Sequence, residues 1–116
     1  MDTQTYAVLI ASCAMLFDIV SGVAKACHSH NIRSEVLREG AWHKVGFVGL
    51  IVLGYMLQYA ATIVSLPWDI PSVIVVCAYI ITTEAVSVFE NLSALNPDLA
   101  ASPMGRFLAV NDEQRE

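Results

Sequence analysis

Charge is scarce in this chain, and the little there is lies unevenly. Only six Lys or Arg and eleven Asp or Glu occur among 116 residues, a charged fraction of 15%, against about 25% in ordinary soluble domains. No cation precedes Lys25, and none occurs in "SLPWDIPS" at 65–72. A chain so poor in basic residues offers no electrostatic footprint for DNA or RNA, so no nucleic-acid partner is expected. The opening "MDTQT" has no basic n-region, and no small-residue cleavage site follows a short apolar core, so a cleaved signal peptide is not expected. The closing "NDEQRE" is no lipidation signal. Cysteine is also sparse: Cys13, Cys27 and Cys77 are an odd number within or at the ends of apolar stretches, which is no disulfide framework. His28, His30 and His43 near Cys27 are metal-binding types, but their spacing matches no closed tetrahedral pattern, and neither metal nor cofactor is expected. No nucleophile, base and orienting group stand in a legible arrangement, which argues against an enzyme. Repeats and low-complexity tracts are missing too.

What is abundant is apolar sequence. The hydrophobic fraction is 56% and the mean hydropathy +0.58, concentrated in three blocks: Tyr6 to Cys27, Val45 to Leu66 and Ile70 to Phe89. A bilayer core of about 30 Å needs about 20 helical residues to cross it, and each block has that length. The regular apolar–charged alternation of an amphipathic soluble helix is missing from all three. The sequence predicts an all-α integral membrane protein, one membrane domain over 1–116, with spans at about 6–27, 45–66 and 70–91 and a tail over 92–116. Lys25, Arg33, Arg38 and Lys44 fall in or beside the first connection, and Arg106 and Arg115 in the tail. By the positive-inside rule the first loop and C-terminus are cytoplasmic, and the N-terminus and second loop outside.

The two connections differ in kind. "HSHNIRSEVLREGAWHK" at 28–44 is long for a turn. Asn31 or Ser34 can cap a short helix and Gly40 can stop it, so a helix lying along the inner headgroup layer is expected here. Arg33, Arg38, Trp42 and Lys44 would be its membrane-interface residues. In the second connection Pro67 and Pro71 stop the flanking helices and Trp68 suits the interface. Pro97, Pro103 and Gly105 interrupt the tail.

Polar residues inside the spans are not scattered. With helical residues about 100° apart, Asp18 shares a stripe with Ala11, Ala14, Ser21, Gly22 and Lys25. Gln58 is flanked by Gly54, Ala61, Thr62 and Ser65. Thr83, Glu84, Ser87, Glu90 and Asn91 occupy one arc of the third span. A carboxylate at the centre of a span costs about 2.5–3.5 kcal/mol on insertion scales, so these faces turn toward protein or water. Counted from the outside, Asp18 and Glu84 both lie about 18–21 Å deep, within reach of each other and of Lys25 and Lys44. Gln58 belongs to a different layer. Packing inside a bundle and lining of a water-filled path both fit such stripes. Gly46 and Gly49 fit close packing or a flexible start to the second span.

Three stretches carry a resemblance. "FDIVSGVAKA" (17–26), "GAWHKVGFVGLIVL" (40–53) and "TTEAVSVFENLSALN" (82–96) resemble the signature regions of the bacteriophage lysis and toxin-secretion holins. The matching positions are Asp18 and Gly22, Lys44 with Gly46, and Glu84, Ser87, Glu90 and Asn91, over about residues 6 to 96. The resemblance implies a non-enzymatic, homo-oligomeric pore former of the bacterial inner membrane. It would work in contact with lipids and pass an endolysin or toxin without binding it stably. Asp18, Ser21, Gly22, Lys25, Gly54, Gln58, Thr62, Glu84, Ser87, Glu90 and Asn91 are the oligomerisation or pore-lining candidates. A constitutive small ion channel or transporter, and a membrane scaffold subunit, are the alternatives.

Overall fold

The computed structural model describes residues 2–67, 69 and 72–108. Three long helices make up most of it: α1 over Thr3–His28, α2 over Ser34–Ala61 and α3 over Val73–Leu95. Each is long and apolar enough to cross a membrane.

Local chemistry sets the helix ends. Asp2 caps α1, its Oδ1 accepting the Thr5 N–H at 2.8 Å, and Ser72 caps α3 by accepting the Val75 N–H at 3.2 Å. Side-chain oxygens at these positions satisfy amides that have no intrahelical partner. At the other end of α1 the Asn31 N–H reaches back to Ala26 O and the His30 N–H to Cys27 O. This is a Schellman ending with His30 in the left-handed position that glycine usually fills, at φ 53°. The reversal it makes leads directly into α2.

The expected short interfacial helix does not form as a separate element. Residues 34–44 are the first turns of a continuous α2. No proline lies between 34 and 61, and a glycine inside a helix costs only about 1 kcal/mol relative to alanine, so Gly40 does not stop it. α2 also ends at Ala61, short of the expected 66. The Thr62 hydroxyl donates to Tyr59 O at 2.6 Å and the Ile63 and Val64 amides fold back onto Ala60 O, a local alternative to further helix. α3 runs past its expected end at 91 to Leu95.

Paired residues give the helix directions. Gln4 meets Gln58 and Asp18 meets Lys44, so α1 and α2 are antiparallel; Lys44 also meets Glu84 and Gln58 meets Val73, so α2 and α3 are antiparallel as well. α1 lies along α3 for much of its length, while α2 packs mainly on α3 and touches α1 at few points. Ala11, Met15, Phe47, Ile51, Val73, Val76, Cys77 and Ile80 form the core, with Phe47 and Tyr79 edge to face at 6.1 Å. Leu16, Val20, Val48, Val52, Met56 and Tyr79 face outward, the arrangement that a lipid solvent favours and water penalises.

After α3 a 3-10 turn covers Pro97–Leu99 and a helical segment covers 103–108. Gly105 is required there: a Cβ would strike the Ala100 carbonyl oxygen and lie 2.6 Å from that of Leu99. Of the residues expected in the tail, 109–116 lie outside the described residues, as does Trp68.

Candidate functional site

Each long helix sends one charged side chain to the same place. Asp18 comes from α1, Lys44 from α2 and Glu84, midway along α3, from the third. Lys44 Nζ donates to Asp18 Oδ2 at 2.7 Å and to Glu84 Oε1 at 3.3 Å, with Glu84 Oε2 at 3.1 Å. The side chains of Lys44, Asp18 and Glu84 are 13%, 16% and 3% exposed. Asp18 and Lys44 each lie about 15 Å from the α1–α2 connection, by the 1.5 Å rise per residue. Antiparallel helices entering from that connection therefore bring them level.

Neutral groups complete the cluster. Asn91 Nδ2 donates to Asp18 Oδ1 at 3.1 Å and to Ser21 Oγ at 3.0 Å, and Ser21 Oγ donates to Asp18 O at 3.2 Å. Gly22 makes room for this: a Cβ there would sit 3.6 Å from Asn91 Nδ2, so α1 and α3 approach closely beside the amide. Asp18 is thus satisfied on both carboxylate oxygens. Glu84 is the more buried carboxylate, yet its Oε2 makes no aligned hydrogen bond and is held by charge alone. Two carboxylates share one ammonium, which leaves a formal excess of one negative charge when both are ionised.

A second polar layer stands at the other end of the bundle. Gln58 Oε1 accepts the Val73 N–H at 2.6 Å and Gln58 Nε2 donates to Gln4 Oε1 at 3.0 Å. One side chain thereby ties α2 to both neighbours and satisfies a free amide at the start of α3. Gly54, one turn away, lets α2 approach α3: its Cβ would lie 3.4 Å from Val73 Cγ2.

Of the residues singled out in the sequence, Asp18, Ser21, Glu84 and Asn91 meet in one cluster, with Gly22 beside it. Lys44 joins them. The sequence placed it both at the headgroup layer and within reach of Asp18 and Glu84, and its ammonium turns inward because two carboxylates at matching depth attract it. Ser87 and Lys25 line a cavity next to the cluster, Lys25 being exposed. Glu90 and Thr62 are also exposed, as are Arg33, Arg38 and Trp42. Gly46 and Gly49 have open space where a Cβ would be, so neither mediates close packing within the chain. Gln4 was missed. An Asp two residues ahead of it is a helix-start signal, and taking Asp2 as the cap would have drawn Gln4 into the first helix.

This geometry, three apolar helices pinned by a charge cluster, is that of a multi-pass membrane bundle. The profile of the bacteriophage holin family matches residues 3–102, which takes in all three helices and both polar layers. The chain belongs to the bacteriophage holin family. No curated protein and no solved structure matched. The family is one of membrane proteins that form pores without catalysis, and in this holin-like chain Asp18, Lys44 and Glu84 lie where they hold helices together. Among the described residues no three His, Cys, Asp or Glu side chains gather as metal ligands would.

Proposed function

We propose that this chain is a pore-forming holin of the bacterial inner membrane. In this reading it accumulates with its polar faces closed inside each monomer, then assembles with copies of itself into lesions that release an endolysin or toxin. The N-terminus lies outside and the C-terminus in the cytoplasm, as the cation distribution favours. The observation that carries the reading is the Lys44–Asp18–Glu84 cluster. A charged side chain facing lipid is costly, so a monomer that turns all three toward one another and away from lipid is stable while dispersed. The same groups suit water once helices rearrange in a ring. The loose docking of α2 on α1 favours this route, because α2 can part from α1 while α1 and α3 stay packed together. Outward-facing apolar rows on α2, and Gly46 and Gly49 with open space beside them, provide surface for a neighbouring copy.

The test is inducible expression in a bacterium with membrane potential and release of a cytoplasmic protein both followed. Growth should stop abruptly, the potential should collapse, and protein-sized leakage should follow. Asp18→Leu and Glu84→Leu should shift the onset. Small, uniform, ion-selective current steps without lethality would instead indicate a constitutive channel, and unchanged timing in both variants would remove the polar cluster from the mechanism.

A further inference from the structure

A cavity of about 570 Å³ opens beside the charge cluster, between the last turns of α1 and the first turns of α2. That volume is in the range of about 300–1,000 Å³ typical of small-molecule sites. Its walls combine two chemistries. Ile19 and Val23 of α1 and Val36 and Leu37 of α2 form an apolar side that continues onto the exposed apolar surface of both helices. Lys25 and Arg33 supply cationic groups at the end where the two helices connect.

Among the described residues no carboxylate balances the two cations at this cavity. The Asp18 carboxylate, which also lines it, is already taken by Lys44 and Asn91. Lys25 and Arg33 have no ion-pair partner among the described residues. Gly40 leaves the α2 wall open, since a Cβ there would meet nothing within 4 Å. An inorganic anion would answer the cations but leave the apolar wall bare. An uncharged apolar molecule would do the reverse. One molecule with a phosphate at one end and a hydrocarbon chain at the other answers both.

We infer that this cavity binds one anionic phospholipid. The phosphate lies between Lys25 and Arg33, and an acyl chain runs along Ile19, Val23, Val36 and Leu37. This deepens the membrane reading of the proposed function, resting on the placement of the α1–α2 connection at a membrane face and not on pore formation. The lipid fills the gap left by the loose α1–α2 packing, so it would brace the closed monomer.

The experiment is native mass spectrometry of the purified full chain in detergent, titrated with phosphatidylglycerol and phosphatidylcholine in competition. One phosphatidylglycerol per chain should be retained in preference to phosphatidylcholine. Lys25→Gln and Arg33→Gln should each weaken it about fivefold, the effect of one surface cation on an anionic lipid. Lys25→Arg with Arg33→Lys should retain it, as should Arg38→Gln, whose side chain is not in the cavity wall. Gly40→Leu should exclude the lipid with both cations in place, while circular dichroism shows unchanged helix content. Equal retention of the two lipids, full binding by the Lys25→Gln/Arg33→Gln double variant, or displacement of the lipid by millimolar inorganic phosphate would each overturn the assignment, the last marking a free-anion site. Loss of lethality in cells with lipid binding intact would sink the pore reading and leave this site standing.

Discussion

Lys44 Nζ reaches Asp18 Oδ2 at 2.7 Å across the α1–α2 interface, the shortest link in a cluster that also holds Glu84 at 3.1 Å. Because one ammonium serves two carboxylates, the three positions are not equivalent. Lys44→Met leaves two like charges facing each other without a counterion. Breaking a buried pair by removing one partner typically costs about 3–5 kcal/mol, and that range is expected here. Glu84→Gln leaves Lys44 and Asp18 matched one to one and should cost far less. Reversible unfolding in mixed micelles measures both, and equal losses in the two variants would contradict the shared-cation geometry.

Gln58 should act through the backbone of α3. Gln58→Leu removes the acceptor of the Val73 N–H and the donor to Gln4. Leaving such groups unpaired costs about 1–3 kcal/mol. Amide exchange at Val73 should rise well before exchange at Ile80 changes. Uniform acceleration across α3 would mean instead that the whole bundle has loosened.

Glycines on α2 should divide by face. Gly54→Leu pushes side-chain atoms into Val73, which already lies at contact distance from a Cβ there, and overpacking of this kind costs about 1–3 kcal/mol. Gly49→Leu meets open space and should leave the monomer's stability unchanged. Crosslinking in loaded vesicles then reads assembly alone. A change in oligomer yield for Gly49→Leu with monomer stability intact would put that face of α2 against another copy.

At the N-terminus the pH dependence has a definite sign. The Thr5 side chain, and after it the Thr5 backbone N–H, hold the Asp2 carboxyl below its ordinary value of 3.8. A lowered carboxyl favours the folded cap at any pH above that ordinary value, and the benefit is lost as pH falls through the lower folded value. Protection of the Thr5 amide, its exchange rate relative to that of the unfolded chain at the same pH, should therefore be flat through neutral and mildly acid pH and fall only in stronger acid. Asp2→Asn should abolish that fall, because an amide caps without titrating.

The tail makes a separate prediction. Gly105→Ala places a methyl group on the Ala100 carbonyl, so the turn over 97–105 must open. Limited proteolysis after Leu95 should accelerate while cleavage elsewhere is unaffected.

Composition and period alone determined that three apolar helices exist, roughly where they run, and that Asp18, Gln58 and Glu84 turn toward a neighbouring helix. These follow from length, from the cost of a charge in hydrocarbon and from the 100° step of a helix. Depth counting put Asp18, Glu84 and Lys44 within reach of one another and set Gln58 apart. It did not determine helix ends, since capping and breaking depend on single hydrogen bonds: Thr62 to Tyr59 stopped α2 early, and Gly40 failed to interrupt it. Nor did it choose among the partners of Asp18. Lys25 is on the same helix and nearer in sequence, yet Lys44 won, because only the antiparallel packing of α2 brings its ammonium level with both carboxylates at once. The same packing left Lys25 and Arg33 beside an open cavity. Pairing between helices depends on azimuth and register, and those are fixed by all three helices together.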